Sequence, residues 1–416
     1  MTATDPRRVV ETVWRIESAR IIATLMRIVK DVGSAEELAQ DTMVIALEQW
    51  PRTGIPDDPG PWLMATAKHR AIDLVRRRVV YAQKLAEVGR ETETTEELDY
   101  DEDQIGDDVL RLMFIACHPV LPPEARSALT LRLLGGLSTD EIARAFLEPS
   151  ATVGQRISRA KKTLAAKRIP FEIPATDELP GRLASVLEVI YLIFNEGYSA
   201  SAGADWTRPN LCEEAMRLGR ILADLAPSKA PTEPEVHGLV ALMELQASRL
   251  GARTTADGSA ILLPDQDRAR WDRLLIRRGL AALDTARDIG GVIGPFVLQA
   301  EIAACHATAA TSADTDWTRI AALYQVLTYV WPSPVAELNR AVAVGRAGDP
   351  ARGLTIVDGV RDSLTDYPQL PAVRADLLER LARREEAAAE YRRAASLTRN
   401  ERERQLYERR ANEAAT

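Results

Sequence analysis

Two stretches of this chain carry side chains suited to nucleic-acid phosphates and base edges. The first comprises Trp62, Lys68, His69 and the run Arg76-Arg77-Arg78; the second comprises Thr152, Gln155, Arg156, Arg159, Lys161 and Lys162. Lysine and arginine neutralise phosphates, an arginine grips guanine through two parallel hydrogen bonds, and a glutamine does the same for adenine. Set on one helix, Gln155, Arg156 and Arg159 fall on successive turns, as a helix lying in a major groove requires. A third group is acidic. Glu37, Gln40 and Asp41 recur at helical spacing and would offer carboxylates and an amide to an arginine-bearing partner.

Nothing in the chain points to catalysis, a metal or a cofactor. His237 and His306 stand alone on helical patterns, and no nucleophile elbow or phosphate loop occurs. Cys117, Cys212 and Cys305 are odd in number and widely separated. Without CxxC or paired-histidine spacing they read as buried free thiols.

The elements that must position the basic and acidic groups are helices. The 416 residues are 46% hydrophobic, 27% charged and only 5% aromatic, a balance that suits two or three helical domains. The net charge of −8 argues against nucleic-acid binding by the surface as a whole, since phosphate affinity comes from lysine and arginine. Distribution matters more than the sum: basic residues gather at Lys68–Arg78 and Arg156–Arg168, whereas Glu87–Asp108 is acidic. No segment approaches the ~20 apolar residues of a membrane span, so the expected place is the cytoplasm, with no membrane contact.

Along the chain, Val13–Val29 and Ala35–Trp50 show apolar residues at helical period, with Gly33 as a stop, Ser34 as N-cap and Glu37 closing a capping box. Pro51–Pro61 reads as a loop and Trp62–Arg78 as a third helix. The acidic stretch lacks periodicity and reads as a linker. Beyond it Pro122-Pro123 opens a helix to Leu134, Ser138 and Glu141 form a capping box, and Ser150 caps a basic helix through Lys167. Helix, tight turn and basic helix make a helix-turn-helix. Gly154 inside the last helix costs roughly 1 kcal/mol relative to alanine. Further helices are expected at Leu183–Phe194, Leu211–Leu225, Glu235–Leu250, Gln266–Asp288, Phe296–Thr308 and Trp317–Val330, with Asn195–Ser199 as a loop after the first. Ala341, Gly353, Val357 and Val360 correspond to Ala375, Ala387, Tyr391 and Ala394, an offset of about 34 residues, the tetratricopeptide period.

These motifs, in this order, resemble the extracytoplasmic-function sigma factor family over roughly the first 170 residues. Gly33–Met43 looks like the family's core-binding helix, and the resemblance implies that Glu37, Gln40 and Asp41 face the clamp helices of the largest subunit of core RNA polymerase. Pro61–Arg78 is similar to the family's helix for the minus-ten element of promoter DNA, which would engage Trp62, Lys68, His69, Arg76, Arg77 and Arg78; His69 stands where the family usually has asparagine. Leu121–Leu164 resembles the minus-thirty-five domain, which by the same likeness also meets the flap of the second-largest subunit. There Thr152, Gln155, Arg156 and Arg159 would read DNA and Lys161 and Lys162 would touch phosphates.

The resulting expectation is an all-α protein: region 2 at 1–85, an acidic linker at 86–108, region 4 at 109–170, a connector at 171–181 and a helical, tetratricopeptide-like extension at 182–416. The linker either mimics nucleic acid inside the polymerase or simply tethers the two units. The extension reads as a regulatory surface for a protein partner. The competing reading is a helix-turn-helix regulator that never binds polymerase, with the extension as an oligomerisation or effector module.

Overall fold

The computed structural model describes residues 6–86, 104–146, 148–199, 207–229, 234–255, 259–291 and 293–415. Among these the chain is all-α, and the only extended pairing is an isolated antiparallel bridge between Thr254 and Ala260. No described helix is long and apolar enough to cross a membrane. The chain forms two compact units, one reaching to Val189 and one starting at Ile190, apart from a short stretch near residue 229 that groups with the first.

The first unit opens with α1 (Pro6–Val29), α2 (Val32–Thr53) and α3 (Pro59–Ala86). Their apolar stripes meet in a core of Ile21, Ile22, Leu25, Leu38, Trp50, Leu63, Ala67 and Ala71. The break between α1 and α2 differs from the expectation. Lys30 takes the left-handed conformation at φ 55° and Gly33 lies inside α2. Asp31 rather than Ser34 is the N-cap, its Oδ1 accepting the Ser34 N–H at 2.7 Å. A full carboxylate suits the positive end of a helix dipole better than a hydroxyl. The expected Pro51–Pro61 loop is also shorter: α2 continues through Pro51 to Gly54, whose φ of 90° ends it. Buried Trp50 meets the edge of Trp62 at 5.6 Å between ring centroids, pinning both sides of the remaining turn.

Most of the acidic linker expected at 86–108 lies outside the described residues. Then follow α4 (Gln104–Ala116), α5 (Pro123–Leu133), α6 (Thr139–Phe146) and α7 (Ser150–Ala166). Asp108, fully buried, joins α4 to α1 through Arg111 at 2.6 Å and Arg27 at 3.6 Å. Gly136 sits at φ 65°, and a Cβ there would lie 2.6 Å from Ser18 Oγ of α1. Conformation and close approach both demand glycine at this position.

Helix α8 (Leu179–Tyr198) begins in the first unit and ends in the second. Arg182 donates to the Phe114 carbonyl at 2.7 Å, Ser185 Oγ to the Cys117 carbonyl at 2.5 Å, and buried Arg126 to Ser185 at 2.6 Å and Glu188 at 2.9 Å. The first turns of α8 therefore cap the core of the first unit, which as a compact body extends to Val189.

The second unit contains α9 (Pro209–Lys229), α10 (Pro234–Ala247), α11 (Arg273–Ile289), α12 (Pro295–Thr308), α13 (Trp317–Val330), α14 (Pro334–Arg346), α15 (Pro350–Gly359), α16 (Gln369–Arg380), α17 (Arg384–Leu397) and α18 (Glu401–Ala415). Two expectations need correction. The expected loop at Asn195–Ser199 is helical to Tyr198. A Cβ on Gly197 would lie 2.7 Å from the Cys212 backbone nitrogen, so this glycine serves close packing of α8 on α9. The expected helix from Gln266 starts only at Arg273, because Asp267 and Asp272 turn their side chains onto backbone N–H groups of Ala269 and of Leu274 and Leu275. Near the end, α14 with α15 and α16 with α17 form hairpins whose buried Ala341, Gly353 and Val357 are matched by Ala375, Ala387 and Tyr391, in keeping with the offset of about 34 residues typical of tetratricopeptides.

Candidate nucleic-acid interface

The geometry of α6 and α7 starts with a capping box. The Ser138 N–H donates to Glu141 Oε2 at 2.8 Å and the Glu141 N–H to Ser138 Oγ at 3.1 Å. This reciprocal pair fixes the start of α6. Ile142, Val153, Ile157, Ala160 and Leu164 are buried and hold α6 and α7 on α5. The opposite face of α7 presents Thr152, Gln155, Arg159 and Lys162, all exposed. A Cβ on Gly154 would meet Thr139 Cγ2 at 3.7 Å, an ordinary contact, so helix packing leaves room for alanine here.

Two other expected DNA residues are engaged within the unit. Arg156 spans both carboxylate oxygens of Glu148, with contacts of 2.7 and 3.1 Å. Lys161 Nζ donates to Glu36 Oε2 at 2.7 Å. Base readers and phosphate binders expected together are thus divided: four outward, two held.

On α3, His69, Arg76, Arg77 and Arg78 are exposed, Lys68 is half-buried, and Trp62 is half-buried against Trp50. Arg78 Nη2 donates to Ser34 Oγ at 2.9 Å. On α2, Glu37 and Asp41 are exposed and Asp41 is paired with Arg70 of α3. Glu37, Asp41, Arg70, Asp73, Arg77 and Arg78 line one shallow cavity of about 350 Å³. The acidic face and the arginine run are therefore neighbours, an arrangement that their separation of about 36 positions hides.

Gln40 is half-buried and donates its amide to Glu36. Glu36, which lies outside the set expected from the motifs, is only 4% exposed and also accepts from Arg132 Nε at 2.6 Å. Burial pushes its carboxyl up, but Lys161 and Arg132 more than offset this and hold it below the ordinary value. The signal that marks it in the sequence is a carboxylate on the apolar stripe formed by Val32, Ala39 and Met43, a position that requires a buried partner. Elsewhere, burial pushes the Cys117 thiol up to about 11 and the Cys212 thiol up to about 12, which suits packing rather than reactivity.

Comparisons with known proteins coincide with these elements. The Sigma-70 region 2 family matches residues 15–79, the Sigma-70 region 4 family residues 111–164, and a family of unknown function, DUF6596, residues 182–287. The uncharacterized protein R00370 of Rhizobium meliloti (strain 1021) is 42% identical over 385 residues, 91% of this chain and 89% of its own length. The ECF RNA polymerase sigma factor SigC of Mycobacterium tuberculosis is 28% identical over 144 residues, 34% of this chain and 75% of the relative. This chain belongs to the extracytoplasmic-function sigma factors of the sigma-70 family. The ECF RNA polymerase sigma factor SigK of Mycobacterium ulcerans is 27% identical over 154 residues, 35% of the chain and 78% of the relative. The curated sigma relatives thus match about a third of the chain, whereas R00370 matches 91% of it. No solved structure matches the sigma factor significantly.

Proposed function

We propose that the sigma factor binds core RNA polymerase through the α2 face of Glu37, Gln40 and Asp41, directs it to promoters through α3 and α7, and is regulated by its C-terminal unit. The observation that carries this reading is the outward set Thr152, Gln155, Arg159 and Lys162 on a capped helix-turn-helix, in one unit with an exposed acidic α2 face. Lys68, His69 and Arg76–Arg78 on α3 would track the opened minus-ten strands, where basic side chains follow the backbone. Gln155 and Arg159 would read base edges of the minus-thirty-five element, and Lys162 its phosphates. Clamp helices of the largest subunit and the flap of the second-largest are the polymerase surfaces implied. The helical hairpins of the extension supply a surface for a protein partner.

The test reverses charge at the α2 face. Glu37→Lys with Asp41→Lys should lower retention of core polymerase on immobilised sigma factor by at least about tenfold, the order expected for close interfacial charge pairs. The helical circular dichroism should stay that of the wild type. Unchanged retention would overturn the assignment of this face and favour a helix-turn-helix regulator that does not use polymerase.

A further inference from the structure

The hairpins near the end of the second unit share an inward stripe. On α16 it is Gln369, Ala372, Val373 and Asp376; on α18, at the same offset of about 34, it is Glu403, Leu406, Tyr407 and Arg410. Val342 and Arg346 of α14 extend it, with Trp317 at the start of α13. Residues three and four apart lie on one helix face, so these helices present a common wall. An open wall of this kind suits an extended peptide, but here the chain covers it with its own residues. Ala260 is buried in one core with Ala375 and Tyr391, and Leu262, extended at φ −69° and ψ 151°, packs against that core. Buried Gln266 donates to the Ile261 carbonyl at 3.2 Å and fixes the segment. Between Leu262–Pro264 and the helices lies a cavity of about 400 Å³, a volume in the range of small-molecule sites.

We propose that this cavity binds a small, neutral, mainly apolar molecule with a carbonyl or hydroxyl oxygen that Arg346 holds. The body of the ligand would lie among Leu263, Trp317, Val342, Val373 and Leu406. Neutrality follows from the lining. Arg346 is paired with Asp376 at 3.1 Å and Arg410 with Glu379 at 2.7 Å, and Glu403 accepts from Gln369 and from Tyr407, each at 2.9 Å. With cations and carboxylates offset in this way, a charged ligand would lose hydration and gain no counter-charge. Hydrogen-bond donors remain, because a guanidinium has five N–H groups and Arg346 bonds Asp376 through one nitrogen among the described residues. Burial pushes this guanidinium below its ordinary value against the opposite pull of Asp376, and a ligand oxygen would supply the acceptor that burial removes. The Trp317 ring, 6.0 Å from the guanidinium, holds Arg346 at the cavity wall. A ligand here would touch α13, α14, α16, α18 and the Leu262–Pro264 segment at once. It would be a regulatory input to the extension distinct from a protein partner and independent of polymerase and DNA.

The experiment titrates prodan, a neutral naphthalene fluorophore with one propionyl carbonyl, with the full chain. Its emission should move to the blue and saturate at one site per chain. Ala372→Phe, which fills the cavity, should abolish this binding, and Val342→Phe serves the same purpose if Ala372→Phe does not fold. Arg346→Met should weaken prodan about tenfold, the order for one hydrogen bond from a charged donor. The same variant should leave the affinity of the propyl analogue, which lacks the carbonyl, at the wild-type value. A hexapeptide with the sequence of residues 260–265 should fail to displace prodan. No saturable binding by the wild type, or binding that a folded phenylalanine variant leaves intact, would overturn the site. Equal weakening of both fluorophores by Arg346→Met would overturn the role given to Arg346. Displacement by the hexapeptide would mean that extended chain enters the cavity, and would overturn the assignment to a small molecule.

Discussion

The two compact units neutralise buried charge differently. In the first, buried charged groups meet opposite charges on other elements, Glu36 with Arg132 and Lys161, Asp108 with Arg27, Arg126 with Glu188, and Asp108 also meets Arg111 of its own helix. The second unit has such pairs as well, Glu244 with Arg220 at 2.7 Å among them. It adds cations set on rings and carbonyls. Arg249, 9% exposed, lies 5.8 Å from the Tyr198 ring centroid and 6.0 Å from that of Trp271. Arg268 stands 4.5 Å from the Trp271 centroid and donates to the carbonyls of His306 and Ala309 at 2.5 and 2.9 Å. An ion pair can part because water receives both partners. A guanidinium packed on rings loses its stacking and leaves a cavity when it is removed, so it marks a scaffold.

The largest effect should come from breaking the scaffold. Arg249→Ala removes stacking on two rings and empties a packed site, and should destabilise the second unit by roughly 3 kcal/mol. A calorimetric scan of the full chain should show one transition moving down and the first unit's transition in place. A shift of both together would mean that the units do not melt independently.

A smaller effect should come from acid. Burial, with the positive charges of Arg249 and Arg268, pushes the His306 imidazole down to about 3. The folded chain therefore keeps it neutral while the unfolded chain protonates it below its usual value of about 6.5, so stability is lost as pH falls from there. The loss should be roughly 1.4 kcal/mol per pH unit from this group. Denaturant midpoints between pH 6.5 and 5 should fall for the wild type and fall less for His306→Gln. Parallel pH curves for the two would contradict the assignment. In the first unit Glu36 acts in the same direction at lower pH. Its carboxyl is held below the ordinary value, so its pair persists through this range and is lost only at lower pH.

Much of this was legible in the sequence because it is local. Apolar period placed the helices, and the Ser138–Glu141 box was found where expected. The boundaries that moved were decided by competition between neighbouring caps, as at Asp31 and Ser34, or by contacts remote in sequence. Gly197 looks like a helix stop until α9 is seen against it. Lys161 looks like a phosphate contact because its partner Glu36 is 125 residues away. Likewise, Arg126 and Ser185 tie α8 to the first unit across 59 positions, which no pattern near residue 182 reveals.

The most direct test of the central claim combines purified core RNA polymerase, the full chain and a pool of genomic DNA fragments, with transcript starts mapped by sequencing. The expected result is a set of starts seen only when the chain is present, sharing two upstream elements, and lost in the Glu37→Lys/Asp41→Lys variant. The same starts with and without the chain, under conditions where it is folded and in excess, would contradict its action as a sigma factor.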